Sequence, residues 1–528
     1  MLTSSASPSV CNGSPKSWCN PTADVPRARL LGKVGDLSRT FIRLLVGAFL
    51  LLGAGGNAAK AASSARPNFV VILCDDLGWG DLASFGHPHI RTPHLDGLAR
   101  DGMRLTSAYS AAPVCSPSRV GLLTGRSPNR AGVLDWIPAA KPGVASAHSR
   151  HLTHLRREEI TLPQILRTAG YATALTGKWH CNAVFNHPSQ AQPGDAGFDY
   201  WFATQNNAAP SHQNPVNFVR NGQPVGPLKG FSCELVAQEA IGWLERHTAK
   251  AVAQPFFLFV TFHEPHVPVA SPGDLVDSYR GVARNEDEAQ YFANVTNMDR
   301  SVGRLLEALG RLGLEDNTLV VFTSDNGPET HNRYPAANRS YGSPGPLRGM
   351  KLWTTEAGVR VPGILRWPAQ VRAGQVSDEP VSSLDLLPTF ASLAGAAIPA
   401  GLRLDGTNMG PALMGGAIER TQPLFWVYYN AINEQRVAMR DGPWKLLARL
   451  DGGQFPRYAN LTSAVAPAAR AARLTDLSLY RISDDVSEAD DLSATETDRK
   501  ERLSRTMESI YRELTATMHV WPAEDGSP

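Results

Sequence analysis

The sequence predicts an α/β protein: a large, mainly parallel mixed sheet sandwiched by helices, followed by a smaller antiparallel sheet with one helix. Two observations carry this prediction. Continuous apolar runs that end in polar residues, "NFVVILCDD", "PFFLFVTFHEPH" and "TLVVFTSDNG", are typical of strands buried on both faces. Helical patterns separate these runs, and strands that alternate with helices form a mainly parallel sheet covered on both faces.

The length and composition are those of a globular protein with room for two domains. The chain has 528 residues, of which 42% are hydrophobic and 19% are charged. Its formal net charge of +2 gives no electrostatic reason to expect nucleic acid as a partner. Composition therefore excludes intrinsic disorder and little else.

The first 61 residues have the pattern of a targeting segment. Arg39 and Arg43 precede the apolar run 44–56, and Ala59-Lys60-Ala61 offers a small-residue cleavage site. This order predicts a secretory signal peptide and therefore an exported protein, periplasmic or secreted. The run is shorter than the roughly 20 apolar residues of a membrane helix, so we expect no stable span after signal removal. An uncleaved anchor is the alternative.

The cysteines do not suggest a disulfide framework. Cys11 and Cys19 fall in the targeting segment. The other four cysteines are widely scattered along the chain: Cys74, Cys115, Cys181 and Cys233. An exported domain of this size needs no disulfide framework, and these spacings suggest none.

Two regions follow the targeting segment. Residues 66–420 carry the large-sheet pattern, including a helix and strand in "TLPQILRTAGYATALTGKWH" and a helix in "VTNMDRSVGRLLEALGRLG" that ends at glycine. Residues 421–528 contain short strands in "PLFWVYYN", "RVAMRDGPWKLLARL" and "LSLYRIS", then a helix in "TDRKERLSRTMESIYRELTATM". We predict a smaller second domain there, with the Ala-rich "LTSAVAPAARAARL" as an irregular surface insertion.

Acid and amide side chains follow two of the buried strands. Asp75 and Asp76 end the first strand, and Asp325 and Asn326 end a later one. In open α/β sheets ligands bind at the carboxyl ends of strands. Hard oxygen ligands suit Ca²⁺ or Mg²⁺. A helix cap or turn would explain the first pair alone, but the second pair favours a metal site.

A single cysteine stands before a short apolar helix in "VCSPSRVGLLTGR". Cys115 has no cysteine nearby for a disulfide and no ligands at zinc spacing. Pro117 suits the first helical turn, where free backbone N–H groups and the helix dipole favour an anion. A buried structural cysteine is the alternative reading of this residue taken alone.

The Cys-x-Pro-x-Arg spacing followed by "LLTGR" resembles the motif of the type I sulfatase family, in the alkaline-phosphatase-like superfamily. The resemblance runs from about Pro67 to Pro368 and more loosely to Leu492. Its further motifs are "PNFVVILCDDLGWGDLASFG", "TGKWH", "FHEPHVP", "SDNGP" and "LRGMKLWTTEAGVRVPGILRWP", and "SSLDLLPT" and "RDGPWKLL" match later family landmarks. Two departures are Cys74 before the aspartates and Ala357, where the family more often has glycine. Neither touches a catalytic position.

The resemblance implies hydrolysis of sulfate esters by a nucleophile made from Cys115. In the family this cysteine is converted to formylglycine, so a formylglycine-generating or equivalent maturation enzyme is an implied partner. One divalent ion, Ca²⁺ with Mg²⁺ as second choice, is implied to bind five residues: Asp75, Asp76, Asp325, Asn326 and residue 115.

The resemblance also implies roles for five basic residues. Arg119 and Lys178 would hold the diol of hydrated formylglycine and the sulfate charge. His266 and Lys351 would face the leaving oxygen and donate a proton or positive charge. His180 would take a proton from the remaining hydroxyl, which expels sulfate and restores the aldehyde.

The substrate is indicated by one segment. "WFATQNNAAPSHQNPVNFVRNGQPVG" is rich in amides and contains His212, as in a sugar-binding loop; an ordinary surface loop is the alternative. Its placement resembles that in arylsulfatase A and N-acetylgalactosamine-6-sulfatase relatives, which favours a sulfated carbohydrate.

Two rival functions remain open. A phosphoester or phosphonate monoester hydrolase of the same superfamily is the first, and the number of cationic groups with a single-metal ligand set favours sulfate over it. A non-catalytic sugar-binding relative is the second. Such a protein should have lost the cysteine, the arginine or the metal acids, and all are present here.

Overall fold

The computed structural model describes residues 66–143, 149–458 and 460–522. The predicted targeting segment, with Cys11 and Cys19, lies outside these residues. Within them, no helix combines the length and the apolar character needed to cross a bilayer. The described cysteines are buried and carry free thiols: Cys74, Cys115, Cys181 and Cys233.

A large mixed sheet forms the centre of the described chain. Its 11 strands, all within the described residues, are β1 (Asn68–Asp75), β2 (Met103–Tyr109), β3 (Ala172–Lys178), β4 (Tyr200–Thr204), β5 (Val219–Arg220), β6 (Gln223–Pro224), β7 (Phe256–Pro265), β8 (Thr318–Ser324), β9 (Arg360–Arg366), β10 (Gln375–Ser377) and β11 (Val381–Ser382). The order is β10-β2-β9-β8-β1-β7-β3-β4-β5-β6, with β11 beside β2. Strands β8, β1, β7, β3 and β4 are parallel, whereas β9 is antiparallel to both of its neighbours. The predicted fold class is confirmed.

Helices cover both faces of this sheet. They are α1 (Pro93–Arg100), α2 (Cys115–Thr124), α3 (Leu162–Thr168), α4 (Ser232–Thr248), α5 (Gly273–Asp277), α6 (Glu286–Arg311), α7 (Glu356–Val359), α8 (Leu386–Ala394) and α9 (Gly410–Leu413). Because side chains alternate along a strand, Val71 enters one core with Leu166 of α3, and Val70 enters the other with Val295 of α6. Every residue of β1 is buried, which accounts for its continuous apolar run.

The smaller sheet is antiparallel and follows the large one. It contains, in spatial order, β12 (Leu424–Val427), β13 (Val437–Asp441), β14 (Trp444–Leu450) and β15 (Leu474–Arg481), with α10 (Ala466–Ala471) and α11 (Thr497–Thr517) against it. Residues Leu503, Met507 and Tyr511 of α11 enter its core. The expected irregular insertion is wrong in part, because α10 forms there and buries Ala466 and Ala469. The domain boundaries at 420 and 421 stay predictions.

Buried charges connect the smaller sheet to the large one. Lys445 of β14 lies 2.9 Å from Glu356 Oε1 and 3.1 Å from Glu488 Oε1, and all three side chains are fully buried. Glu356 also pairs with Arg360 at 3.0 Å. Buried charges are tolerated when they are paired in this way, and each partner then constrains the others. The network therefore holds the chain segment that follows Lys351 against the smaller sheet.

Candidate active site

The residues singled out from the sequence meet at the carboxyl edge of the large sheet. Asp75 ends β1, Lys178 ends β3, Asp325 follows β8 and His266 follows β7. These four strands are parallel neighbours, so their carboxyl ends lie together.

A tight approach of two strands positions Lys178. The glycine before it, Gly177, has a φ of 112°, and a Cβ there would lie 1.8 Å from the carbonyl oxygen of Thr261 on β7. Any larger residue would push β3 away from β7. Glycine in "TGKWH" is therefore required for the lysine to reach the acid cluster.

Acidic and amide groups form a compact cluster at this edge. Asp76 has a φ of 65°, a strained conformation for a non-glycine residue that is often found at functional sites. Its backbone N–H donates to Asp325 Oδ1 at 3.3 Å, and Asn326 Nδ2 donates to its Oδ1 at 2.7 Å. One potential ligand atom each from Asp75, Asp76 and His266 lie within 4.8 Å of one another.

This cluster has the properties of a site for a hard cation. Asp75 Oδ1 and Asn326 Oδ1 are buried without a hydrogen-bond partner among the described residues. Burial and the negative charge of Asp75 raise the pKa of Asp325 to about 7. A divalent ion would satisfy the two oxygens and stabilise the ionised carboxylates. The residues present therefore fit a bound metal ion.

Three basic side chains surround the acids. Lys178 Nζ contacts Asp75 Oδ2, and Lys351 Nζ donates to Asp76 Oδ2 at 2.7 Å. Arg119 donates through Nε to Asp325 Oδ2 at 2.8 Å and through Nη1 to the carbonyl oxygen of Lys178 at 2.8 Å. With a divalent ion added, the positive charge of this buried group would exceed the negative charge, which suits an anionic ligand.

Cys115 is the first residue of α2 and is 2% exposed. The preceding Val114 has extended backbone and offers no side-chain cap to the helix, and the N-terminal end of a helix favours an anion. Burial raises the pKa of the Cys115 thiol to about 11. At neutral pH the unmodified thiol is thus protonated and a poor nucleophile.

His180 is poised to accept a proton. Its Nε2 lies 3.0 Å from the carbonyl oxygen of Ile137, an acceptor, so Nε2 carries the hydrogen. The other ring nitrogen, Nδ1, is buried without a partner among the described residues. Burial, together with the charge of Lys178, lowers the pKa of His180 well below its usual value. The neutral ring therefore presents a free lone pair.

His266 differs from His180 in the ring nitrogen that carries the hydrogen. Its Nδ1 donates to the carbonyl oxygen of Val267 at 2.6 Å, and its Nε2 lies 3.6 Å from Asp76 Oδ2. Donation of a proton from Nε2 thus requires the imidazolium form. Burial lowers the pKa of His266 below its usual value, and the charges of Asp75 and Asp76 offset only part of this shift.

A pocket of about 660 Å³ opens beside the cluster, and only some of the groups described above line it. The residues expected from the sequence that line it are Cys115, His180, His266 and Lys351. Asn206 and Asn207 of the amide-rich segment also line it. His212 of that segment does not: it is fully buried, with Nδ1 3.6 Å from Glu264 Oε1. The sugar-binding interpretation is therefore wrong for His212.

Sequence reasoning missed much of the pocket wall. The lining residues it did not single out include Asp135, Trp136, Arg333, Tyr334, Tyr428, Asn430, Ile432 and Arg457. Asp135 is held by Tyr428 Oη at 3.0 Å and Asn430 Nδ2 at 2.7 Å, contacts between segments almost 300 positions apart. No local spacing could have grouped these residues.

Comparisons with known proteins agree on one family. Residues 67–396 match the model of the Sulfatase family, and residues 350–450 match "N-sulphoglucosamine sulphohydrolase, C-terminal". N-acetylgalactosamine-6-sulfatase of Canis lupus familiaris is 37% identical over 71% of this chain and 71% of its own length. Arylsulfatase A of Homo sapiens is 36% identical over 74% of this chain and 76% of its own length.

Solved structures agree with this result. The crystal structure of Ps i-CgsB aligns with a TM-score of 0.71 at 27% identity, covering 88% of this chain and 96% of that one. Its complex with k-i-k-neocarrahexaose aligns with a TM-score of 0.68 at 27% identity, covering 86% and 98%. The resemblance to type I sulfatases and the alkaline-phosphatase-like fold are thereby confirmed. The chain belongs to the sulfatase family and is a sulfuric ester hydrolase.

Proposed function

We propose that this protein hydrolyses sulfate esters of carbohydrates with a formylglycine made from Cys115 and one divalent metal ion. The position of Cys115 carries the proposal. It begins α2, lines the same pocket as His180, His266 and Lys351, and is close to the buried charges of Lys178 and Lys351. In the structure residue 115 is an unmodified cysteine, and its Sγ stands for the two hydroxyl oxygens of the hydrated aldehyde.

In the first half-reaction, one hydroxyl of residue 115 attacks sulfur in line with the departing alcohol. The S–O bond to the alcohol breaks and SO₃ is transferred to the attacking oxygen, whose released proton balances the proton given to the leaving oxygen. Arg119 and Lys178 stabilise the charge on the transferred group, which fixed cations in a water-poor pocket do strongly. His266 or Lys351 supplies a proton to the leaving oxygen.

In the second half-reaction, the remaining hydroxyl of residue 115 loses its proton. Nδ1 of His180 is the acceptor, because its lone pair is free and its ring is neutral. The C–O bond to sulfate then breaks as the aldehyde re-forms. Water restores the diol for the next cycle.

The proposed metal ion is Ca²⁺, with Mg²⁺ as second choice. Asp75, Asp76, Asp325 and Asn326 would hold it, with residue 115 as a further ligand. Such an ion supplies Lewis-acid polarisation of the sulfate oxygens. Support comes from the two unpartnered oxygens in the cluster and from the preference of Ca²⁺ for carboxylate and amide oxygens.

We expect one Ca²⁺ per chain in protein purified without chelators, and loss of that ion in Asp325→Asn. Removing a ligand should weaken metal binding by more than the roughly 10–100-fold typical of outer-shell changes. Elemental analysis after dialysis measures metal content directly, and Asp274→Asn, which changes a surface acid, is the control. Stoichiometric zinc, or full activity after chelation and exchange, would contradict the assignment.

A carbohydrate is the proposed substrate because the pocket wall carries groups that bind sugars. Asn206, Asn207 and Asn430 offer amides, Asp135 a carboxylate and Trp136 an indole that is 40% exposed. Amides and carboxylates bond to sugar hydroxyls, and aromatic rings present an apolar face. Relatives support this choice, since one acts on N-acetylgalactosamine 6-sulfate by its name and another is bound to an oligosaccharide.

We further propose export and maturation by a partner enzyme. The targeting pattern in residues 1–61 supports export, and a formylglycine at position 115 requires an enzyme that oxidises the cysteine. Neither proposal depends on the arrangement of the pocket.

Matched esters of one phenol test the proposed chemistry. We expect kcat/KM for 4-nitrophenyl sulfate to exceed that for 4-nitrophenyl phosphate and 4-nitrophenyl phenylphosphonate by at least about tenfold. A preference for phosphonate would favour the first rival function. No turnover of any ester by protein carrying formylglycine would favour the sugar-binding rival.

A further inference from the structure

The pocket is built from two regions of the chain. The groups that face the reacting sulfate come from the edge of the large sheet. A second set comes from the part of the chain that forms the smaller sheet: Tyr428, Asn430, Ile432 and Arg457. This second set has no place in the proposed chemistry, so its residues are available to select the substrate.

Arg457 differs from the other cations of the pocket. Lys351 is paired with Asp76 at 2.7 Å, and Arg333 donates through Nε to Glu329 Oε1 at 2.7 Å. Arg457 is exposed and makes no hydrogen bond or ion pair with any residue in the described part of the chain. It therefore brings an uncompensated positive charge to the wall of the pocket.

Contacts to the residues next to Arg457 in the chain hold its loop in place. Arg436, itself 7% exposed, donates through Nη1 to the carbonyl oxygens of Phe455 and Pro456, the latter at 2.7 Å. The Phe455 ring contacts Tyr458 edge-on at 5.2 Å between centroids. A buried guanidinium on one side and an aromatic contact on the other fix the backbone on both sides of Arg457.

The surroundings of Arg457 in the pocket suit a sugar. Asp135 accepts hydrogen bonds from Tyr428 and Asn430, which leaves Asn430 Oδ1 buried without a partner among the described residues. The volume of about 660 Å³ exceeds what a single sulfated ring needs and lies within the range of small-molecule sites. A second sugar unit therefore has room beside the reacting one.

We propose that Arg457 binds a second anionic group of a sulfated saccharide, on the part of the substrate that leaves as the alcohol. The group is a carboxylate of a uronic acid or a second sulfate, both of which match a guanidinium through paired hydrogen bonds. This inference rests on the proposed carbohydrate sulfatase function, and it makes the region around the smaller sheet a determinant of specificity.

The test compares disaccharides that share one sulfated N-acetylgalactosamine, with the sulfate at position 4 or 6. The second unit is a uronic acid, its methyl ester, or a hexose with or without a second sulfate. For the wild type we expect kcat/KM for at least one anionic form to exceed that for its uncharged match by tenfold or more. In Arg457→Gln this ratio should fall to near one, mainly through KM, while Arg505→Gln on the exposed face of α11 keeps it.

Each possible result either supports or overturns the role of Arg457. Equal rates for charged and uncharged forms in the wild type, or a ratio unchanged by Arg457→Gln, overturn the role of Arg457 and leave the carbohydrate proposal standing. Hydrolysis of 4-nitrophenyl sulfate without hydrolysis of any disaccharide overturns both. If only the disulfated disaccharide is hydrolysed faster than its uncharged match, the group bound by Arg457 is a sulfate. If only the uronic acid form is hydrolysed faster than its methyl ester, the group is a carboxylate.

Discussion

We expect Cys115→Ser, produced in a host that does not process serine, to lose sulfate ester hydrolysis by a factor of about 10⁴ or more. The serine would occupy the same place at the start of α2 but would lack the second hydroxyl that allows sulfate to be expelled. Steady-state turnover of 4-nitrophenyl sulfate measures the loss. Cys233→Ser is the matched control, since that thiol is also buried but lies outside the pocket.

The modification itself has an independent readout. In active protein, the peptide that contains residue 115 should show the decrease in mass that accompanies replacement of a thiol by an aldehyde. It should also react with a hydrazide probe and not with iodoacetamide after denaturation. A fully alkylatable thiol at position 115 in fully active enzyme would refute the formylglycine proposal.

We expect His180→Ala to release one equivalent of alcohol rapidly and then to stop. Without Nδ1 of His180, the last hydroxyl of residue 115 has no proton acceptor, so the first half-reaction proceeds and the second does not. Steady-state turnover should fall by about 10²–10⁴-fold, as for other acid–base residues. Rapid mixing with 4-nitrophenyl sulfate reports the burst, and intact mass of the stalled protein should show one added sulfate.

His266→Ala is the matched comparison and should slow the burst itself. The effect should be largest for poor leaving groups such as sugars and smallest for activated phenols, because only the former need a proton at departure. Absence of both burst and sulfate adduct in His180→Ala would show that the two histidines do not divide the half-reactions in this way.

The cluster at the carboxyl edge of the sheet was predictable from the sequence. Runs such as "NFVVILCDD" mark strands buried on both faces, and the polar residues that end them must lie at one edge if the strands are parallel. Asp75, Lys178, Asp325 and His266 accordingly meet in the structure. Each residue is placed by the strand that directly precedes it, so local pattern and topology together were sufficient.

Other features could not be predicted from the sequence because they depend on contacts between segments far apart in the chain. His212 has the composition of a sugar-binding loop, but burial beside Glu264 removes it from the pocket. The Ala-rich segment looked irregular because its apolar side chains are small, yet Ala469 fills a place in the core beside α11. Whether such a side chain is buried depends on the segment of the chain that packs against it.

The sequence by itself determined the family, the fold class and the set of residues that meet at the carboxyl edge of the large sheet. It did so because strand periodicity and motif spacing are local properties of the chain. The tertiary structure alone decided the shape and charge of the pocket wall, where Asp135 meets Tyr428 and Asn430. It also decided that Lys445 lies between Glu356 and Glu488. These contacts join positions far apart in the chain, and their energies depend on burial, which exists only after both sheets have packed.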